Sequence, residues 1–136
     1  MTIRVLLADD NTTFLAAVRQ FLSTLSVTEV AGEAHTGREA MELAASLSPD
    51  LVLLDIGMPE MNGLEAARRM RQWQYPPCIV FLSMHNSQAY RDAAHQVGAA
   101  GFISKADFVD ELPRIIETVE ARMHQQASTQ VPGVPQ

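Results

Sequence analysis

The chain has 136 residues, 47% of them apolar and 19% charged, with a formal net charge of -6. That length fits one domain, and that apolar share is enough to bury a core, which excludes a disordered segment. The acidic balance excludes an electrostatic grip on nucleic acid by this segment, which needs clustered basic residues, and favours cations or basic partner surfaces.

The first apolar run, Ile3 to Ala8, reads as a buried strand ended by Asp9-Asp10. It is too short for a secretory signal core or a membrane span, so a cytoplasmic protein without membrane association is expected. A helix follows over Thr13 to Leu25, where Phe14, Leu15, Val18, Phe21, Leu22 and Leu25 make one wide apolar stripe. Val27 to Ala34 reads as a second strand. Gly37 to Leu47 reads as a helix with Ala40, Met41, Ala44 and Leu47 inward, stopped by Ser48-Pro49.

Leu51 to Asp55 is a third strand, and Asn62 caps a third helix that runs through Arg71 to the breaker Trp73 to Pro77. A fourth strand starts at Cys78. As the only cysteine, Cys78 excludes an intramolecular disulfide or a cysteine-based zinc cluster. Asn86 or Ser87 opens a fourth helix with Tyr90, Ala93, Ala94 and Val97 on one side and Gly98 at its exit. Gly101 to Ser104 is a fifth strand. A last helix is expected from about Asp110, with Pro113 in its first turn, Leu112, Ile115, Ile116 and Val119 facing the sheet, and an end near Met123. This predicts a domain over 1–123 and a linker or disordered tail over 124–136, where Gln, Ser, Thr, Pro and Gly replace the apolar period.

Strict alternation of apolar strands with helices predicts a parallel sheet covered on both faces, an open doubly wound α/β fold. Ligands of such sheets bind beyond the carboxyl ends of the strands. Here those ends carry Asp9-Asp10, Asp55, Ser83 and Ser104-Lys105, and Lys105 is the only lysine of the chain. Taken singly, each has an ordinary reading: Asp9 or Asp10 as a helix cap, Asp55 as a turn residue, Ser83 as a loop hydroxyl, Lys105 as a solvated charge. Taken together they pose an electrostatic problem. Two carboxylates 4 Å apart repel by about 4 kcal/mol at an effective dielectric near 20. A hard, oxygen-seeking Mg²⁺ ion would relieve that repulsion, with Lys105 adding a mobile positive charge.

The segments VLLADDN, LVLLDIGMPEMNGLEA, FLSMH and GAAGFISKAD resemble those of bacterial response regulator receiver domains, over about residues 3 to 122. The resemblance implies a flavodoxin-like, doubly wound five-stranded parallel sheet of order 2-1-3-4-5 with helices on both faces. It implies a phosphoacceptor, not a conventional enzyme: Asp55 takes a phosphoryl group from a sensor histidine kinase or phosphotransfer protein. Asp9 and Asp10 match the acidic pair that holds Mg²⁺, Asp55 is both ligand and nucleophile, and Gly57 matches the residue whose carbonyl joins the metal. Ser83 and Lys105 match the hydroxyl and the cation that bind the phosphoryl oxygens. Phe102 matches the aromatic switch position. DIGMPEMNGLEAARR and FISKAD look most like receivers that precede a DNA-binding domain of the LuxR type, so transcriptional control through a further domain is expected, with phosphorylation-dependent homodimerisation.

Two positions depart from the common pattern: Phe102 lacks the hydroxyl of the tyrosine many relatives have, and Ala106 stands where many have proline. His85, two residues past Ser83, is a solvated loop histidine or a modulator of water access to the phosphoryl group. A flavin-type cofactor binder is the competing reading, but Asp-Asp-Asn-Thr-Thr after the first strand is no glycine-rich phosphate cradle. An aspartyl phosphatase would carry a second acid where this chain has Gly57.

Overall fold

The computed structural model of the chain describes residues 2–84 and 87–129, with side chains as far as 125. In chain order the elements are β1 (Ile3–Ala8), α1 (Thr12–Ser23), β2 (Thr28–Ala34), α2 (Gly37–Leu47), β3 (Leu51–Asp55), α3 (Gly63–Met70), β4 (Cys78–Ser83), α4 (Gln88–Gln96), β5 (Gly101–Ser104) and α5 (Phe108–Thr129). A 3₁₀ turn over Lys105–Asp107 joins β5 to α5. All four strand pairs are parallel and the order is β2-β1-β3-β4-β5.

The sheet is buried on both sides, and its central strands carry apolar residues at consecutive positions, Val5 to Ala8, Leu51 to Leu54 and Ile79 to Leu82, not only at alternate ones. On one face Leu6, Ala8, Val52, Leu54, Ile79 and Phe81 pack under α2, α3 and α4. Those helices meet the sheet largely through alanines, Ala40, Ala44, Ala66, Ala67 and Ala94, so they lie close to it. On the other face Val5, Leu7, Leu51, Leu53, Val80 and Leu82 pack under α1 and α5, which contribute the bulkier Leu15, Val18, Leu22, Leu112, Ile116 and Val119. No helix among the described residues is long and apolar enough to cross a membrane.

Three boundaries differ from expectation. The cap of α1 is Asn11, whose side-chain oxygen accepts from the Phe14 N–H at 3.0 Å, so neither Asp9 nor Asp10 serves as the cap. α5 opens at Phe108, which places Pro113 sixth in the helix and past the first turn. The proline ring leaves the Val109 carbonyl without its helical donor, at a residue 52% exposed, where the turn faces solvent. At its other end α5 continues to Thr129, beyond the expected stop at Met123. The first part of the expected tail is thus helical, since 124–129 holds no Gly or Pro and its Gln and Ala residues favour helix. Residues 130–136 lie outside the described residues.

Candidate functional site

Strand register assembles the site. Ala8 lies opposite Leu54, which puts Asp9 beside Asp55, and Asp55 lies opposite Leu82, one residue before Ser83. Ser83 in turn faces Ser104, the residue before Lys105. The close approach of α3 to this edge depends on Gly63, where a Cβ would stand 2.1 Å from the Asp55 carbonyl oxygen. The result is a pocket of about 360 Å³ bordered by Asp10, Asn11, Asp55, Gly57, Ser83, Met84, Tyr90 and Lys105.

Lys105 is no solvated surface charge. Its side chain is 7% exposed, with Nζ 2.6 Å from Asp9 Oδ2 and 3.4 Å from Asp55 Oδ1. Asp9 is fully buried and Asp55 nearly so, whereas Asp10 is exposed at the rim. Carboxylate oxygens of the three aspartates lie within 4.8 Å of one another. Burial pushes the Asp55 carboxyl above its ordinary value of 3.8 and the Asp9 charge pushes it further, while the Lys105 ammonium and the Gly57 N–H pull it back.

These donors suit a hard divalent cation. They are all oxygens, and one of them, Asp9 Oδ2, is buried with no donor aligned for a hydrogen bond despite the nearby ammonium. Mg²⁺ takes one or two carboxylates and keeps several waters, and such an acidic set of oxygens would suit it.

Ser83 is 3% exposed at the end of β4, on the wall of the same pocket as Asp55 and Lys105. Gly57 is exposed at its mouth, with open space where a Cβ would be. Phe102 is half-buried against the α2–α4 core layer, and the Arg91 guanidinium stacks 4.8 Å from its ring centroid. His85 lies outside the described residues.

The sequence reading missed four participants. Asn11 holds Asp9, its N–H donating to Asp9 Oδ1 at 2.9 Å. Phe14, read only as part of the apolar stripe of α1, places its ring 4.9 Å from Lys105 Nζ. Arg91 covers Phe102. Tyr90, which the period sets on one side of α4 with Ala93, Ala94 and Val97, is 36% exposed and borders the pocket. Of these, Asn11 alone left a signal, as a good capping residue directly before a helix.

A larger cleft of about 910 Å³ lies at the opposite edge of the sheet, bordered by Trp73, Tyr75, Cys78, Arg71, Arg122 and Met123 among others. There burial raises the Cys78 thiol, only partly offset by Arg122 and Arg71.

The sequence model of the family described as response regulator receiver domain matches residues 5–117. This chain belongs to that family. The receiver is 38% identical over 117 residues to the transcriptional regulatory protein MctR of Rhizobium johnstonii, covering 86% of this chain and 55% of that protein. It is 40% identical over 101 residues to the nitrate/nitrite response regulator protein NarL of Escherichia coli K12, covering 74% of this chain and 47% of that one. Among solved structures, the signal receiver domain of a response regulator, NarL, from Mycobacterium tuberculosis superposes with a TM-score of 0.82 at 33% identity, over 88% of this chain and 97% of that one. The chain spans about half the length of the curated relatives it matches. Membership confirms the fold expected from the sequence and displaces the flavin-binder and phosphatase alternatives.

Proposed function

We propose that this receiver takes a phosphoryl group from a sensor histidine kinase or phosphotransfer protein onto Asp55 and, on doing so, switches the surface it presents for transcriptional output. The observation that carries this reading is the buried Lys105 ammonium set between Asp9 and Asp55, 2.6 and 3.4 Å away, at a pocket open to solvent that Ser83 also borders.

A carboxylate oxygen of Asp55 attacks phosphorus while the bond from phosphorus to the donor breaks, its electron pair leaving with the donor. An ionised carboxylate carries no proton to remove, so no general base is required. The obstacle is repulsion between anions, and positioning with charge neutralisation is how such transfers are accelerated. Asp9, Asp10, Asp55 and the Gly57 carbonyl would hold Mg²⁺. When bound, that ion supplies positive charge between the carboxylates and the incoming phosphoryl oxygens. Lys105 and Ser83 then bind those oxygens, Lys105 as a mobile cation and Ser83 as a hydrogen-bond donor. Hydrolysis by water, splitting phosphate from Asp55, ends the signal.

The added phosphoryl group brings about 1.5 to 2 negative charges. Ser83 moving toward it frees space into which Phe102 turns, leaving Arg91 and altering the face of α4, β5 and α5. Taking such a switch from 1:99 to 99:1 needs about 5.5 kcal/mol, within reach of several charge-assisted hydrogen bonds. Phosphorylation favours a homodimer, through this face or through the face of α1 and α5. DNA is reached only through a further domain of the kind found in LuxR-type regulators, the receiver itself being acidic.

Incubation with acetyl phosphate and Mg²⁺, followed by intact mass, tests the reading. The parent protein should gain one phosphoryl group and the Asp55→Asn variant none. A gain that survives the substitution would refute Asp55 as acceptor.

A further inference from the structure

A closed circuit of contacts runs through the acidic pocket and includes a residue without any polar side-chain group. Asp9 Oδ1 accepts from the Asn11 N–H at 2.9 Å, and Asn11 Oδ1 accepts from the Phe14 N–H at 3.0 Å. The Phe14 ring lies under Lys105 Nζ at 4.9 Å, and Nζ returns to Asp9 Oδ2 at 2.6 Å. The ring is held from behind as well: Phe108 meets it edge-on at 5.4 Å and 76°, and Phe21 meets Phe108 at 5.8 Å and 87°. Phe108 opens α5 directly after the 3₁₀ turn that Lys105 begins, so the start of α1 and the backbone that carries the lysine are locked to one aromatic cluster.

We infer that Phe14 is a positioning residue for Lys105. Its ring face holds the ammonium over the pocket by a cation–π contact, at a distance well inside the roughly 6 Å reach of that interaction. The inference rests on the phosphoacceptor reading of the pocket and deepens it. In that reading Asp9 has two claimants, the Lys105 ammonium and a divalent cation. An ammonium anchored by Asp9 alone would lose its place whenever that carboxylate is engaged. The Phe14 ring offers an anchor that uses no carboxylate oxygen, so Lys105 stays beside Asp55 while remaining free to turn toward phosphoryl oxygens. A long, flexible lysine side chain with the same carboxylates but no ring would spend more of its time elsewhere.

Because Lys105 is the only lysine, lysine-selective ¹³C labelling gives one set of ε-methylene signals, which reads the contact without any activity. The parent protein should show ε protons shifted upfield by the ring current. Phe14→Tyr should keep that shift, and Phe14→Leu and Phe14→Met should lose it. Initial phosphoryl incorporation from acetyl phosphate with Mg²⁺ should fall about 2- to 30-fold in the Leu and Met variants and return to within about twofold of the parent in the Tyr variant. In a Lys105→Ala background the Phe14→Leu effect should vanish. An unshifted lysine signal in the parent, or a Phe14→Leu loss that persists at full size without Lys105, would overturn the positioning role while leaving the acceptor reading intact. Absence of incorporation in the parent would overturn the acceptor reading and the positioning role with it.

Discussion

The two edges of the sheet hold cavities of opposite character. At the amino edge lies the roomier cleft, about 910 Å³, bordered by aromatic rings, prolines, a cysteine and two arginines. Its neighbourhood is settled, since Asp50 Oδ2 accepts from the Arg4 N–H at 2.8 Å and backbone bonds tie Asp50 to Arg4 and to Cys78. At the carboxyl edge, beside a pocket of about 360 Å³, three carboxylates lie together, two of them against one ammonium, with a buried acid oxygen left without an aligned donor. Volume therefore misleads and unresolved charge informs. The smaller cavity is the one whose residues are costly to keep together, and folds tolerate such conflict where chemistry uses it.

The largest effect that would sharpen this contrast comes from Asp55→Asn, which should abolish phosphoryl incorporation and stabilise the metal-free fold at neutral pH. The sign follows from the raised Asp55 carboxyl. Between the ordinary value of 3.8 and the raised folded value, the folded state binds the proton more tightly, so stability falls as pH rises through that window and stays lower above it. Thermal melts of parent and variant should coincide most closely at acid pH and separate as pH rises. A separation that instead closes with rising pH would show that Asp55 relieves strain at the pocket.

Next comes Lys105→Ala. Removing the ammonium from a buried acid pair should cost about 3–5 kcal/mol without divalent cation, part of it restored by millimolar Mg²⁺. Urea midpoints with and without Mg²⁺ measure both quantities, and a variant indifferent to Mg²⁺ would break the claim that the carboxylates remain in conflict. Smaller still is Arg91→Ala. Loss of its stacking on Phe102 should weigh about 0.5–1 kcal/mol, roughly a 2- to 5-fold change in the proportion of switched receiver at limiting phosphodonor. Dimer content by light scattering would register that change. At the other edge Arg122→Ala should leave incorporation unaltered and stability within about 0.5 kcal/mol. A loss of incorporation there would show the two edges to be coupled.

Much of this arrangement was legible in the sequence because its causes are local. Leu51 to Leu54 is apolar without a break, and its shortness between Pro49-Asp50 and Asp55 marks it as a strand buried on both faces; the polar residue that ends each such run falls at the site by topology alone. What stayed hidden depends on distant partners or on competition between neighbours. Asp9 and Asp10 are as good at capping as Asn11, and only the folded path of the chain decides which of the three takes the role. Tyr90 shares its period with Ala94, yet it lies in the first turn of α4 at the pocket, beyond the strand ends, where no sheet remains to cover it. The start of α5 was misplaced because the 3₁₀ turn over Lys105–Asp107 shifts the helix toward the strand. The stacking of Lys105 on Phe14 joins positions 91 apart, and no periodicity within either segment encodes it.

The acceptor itself is tested most directly by borohydride reduction of protein freshly treated with acetyl phosphate and Mg²⁺, which converts an aspartyl phosphate to homoserine, followed by peptide mapping. Homoserine at position 55 and at no other aspartate is the expected result. Homoserine at Asp9, Asp10 or elsewhere, with position 55 unchanged, would contradict it.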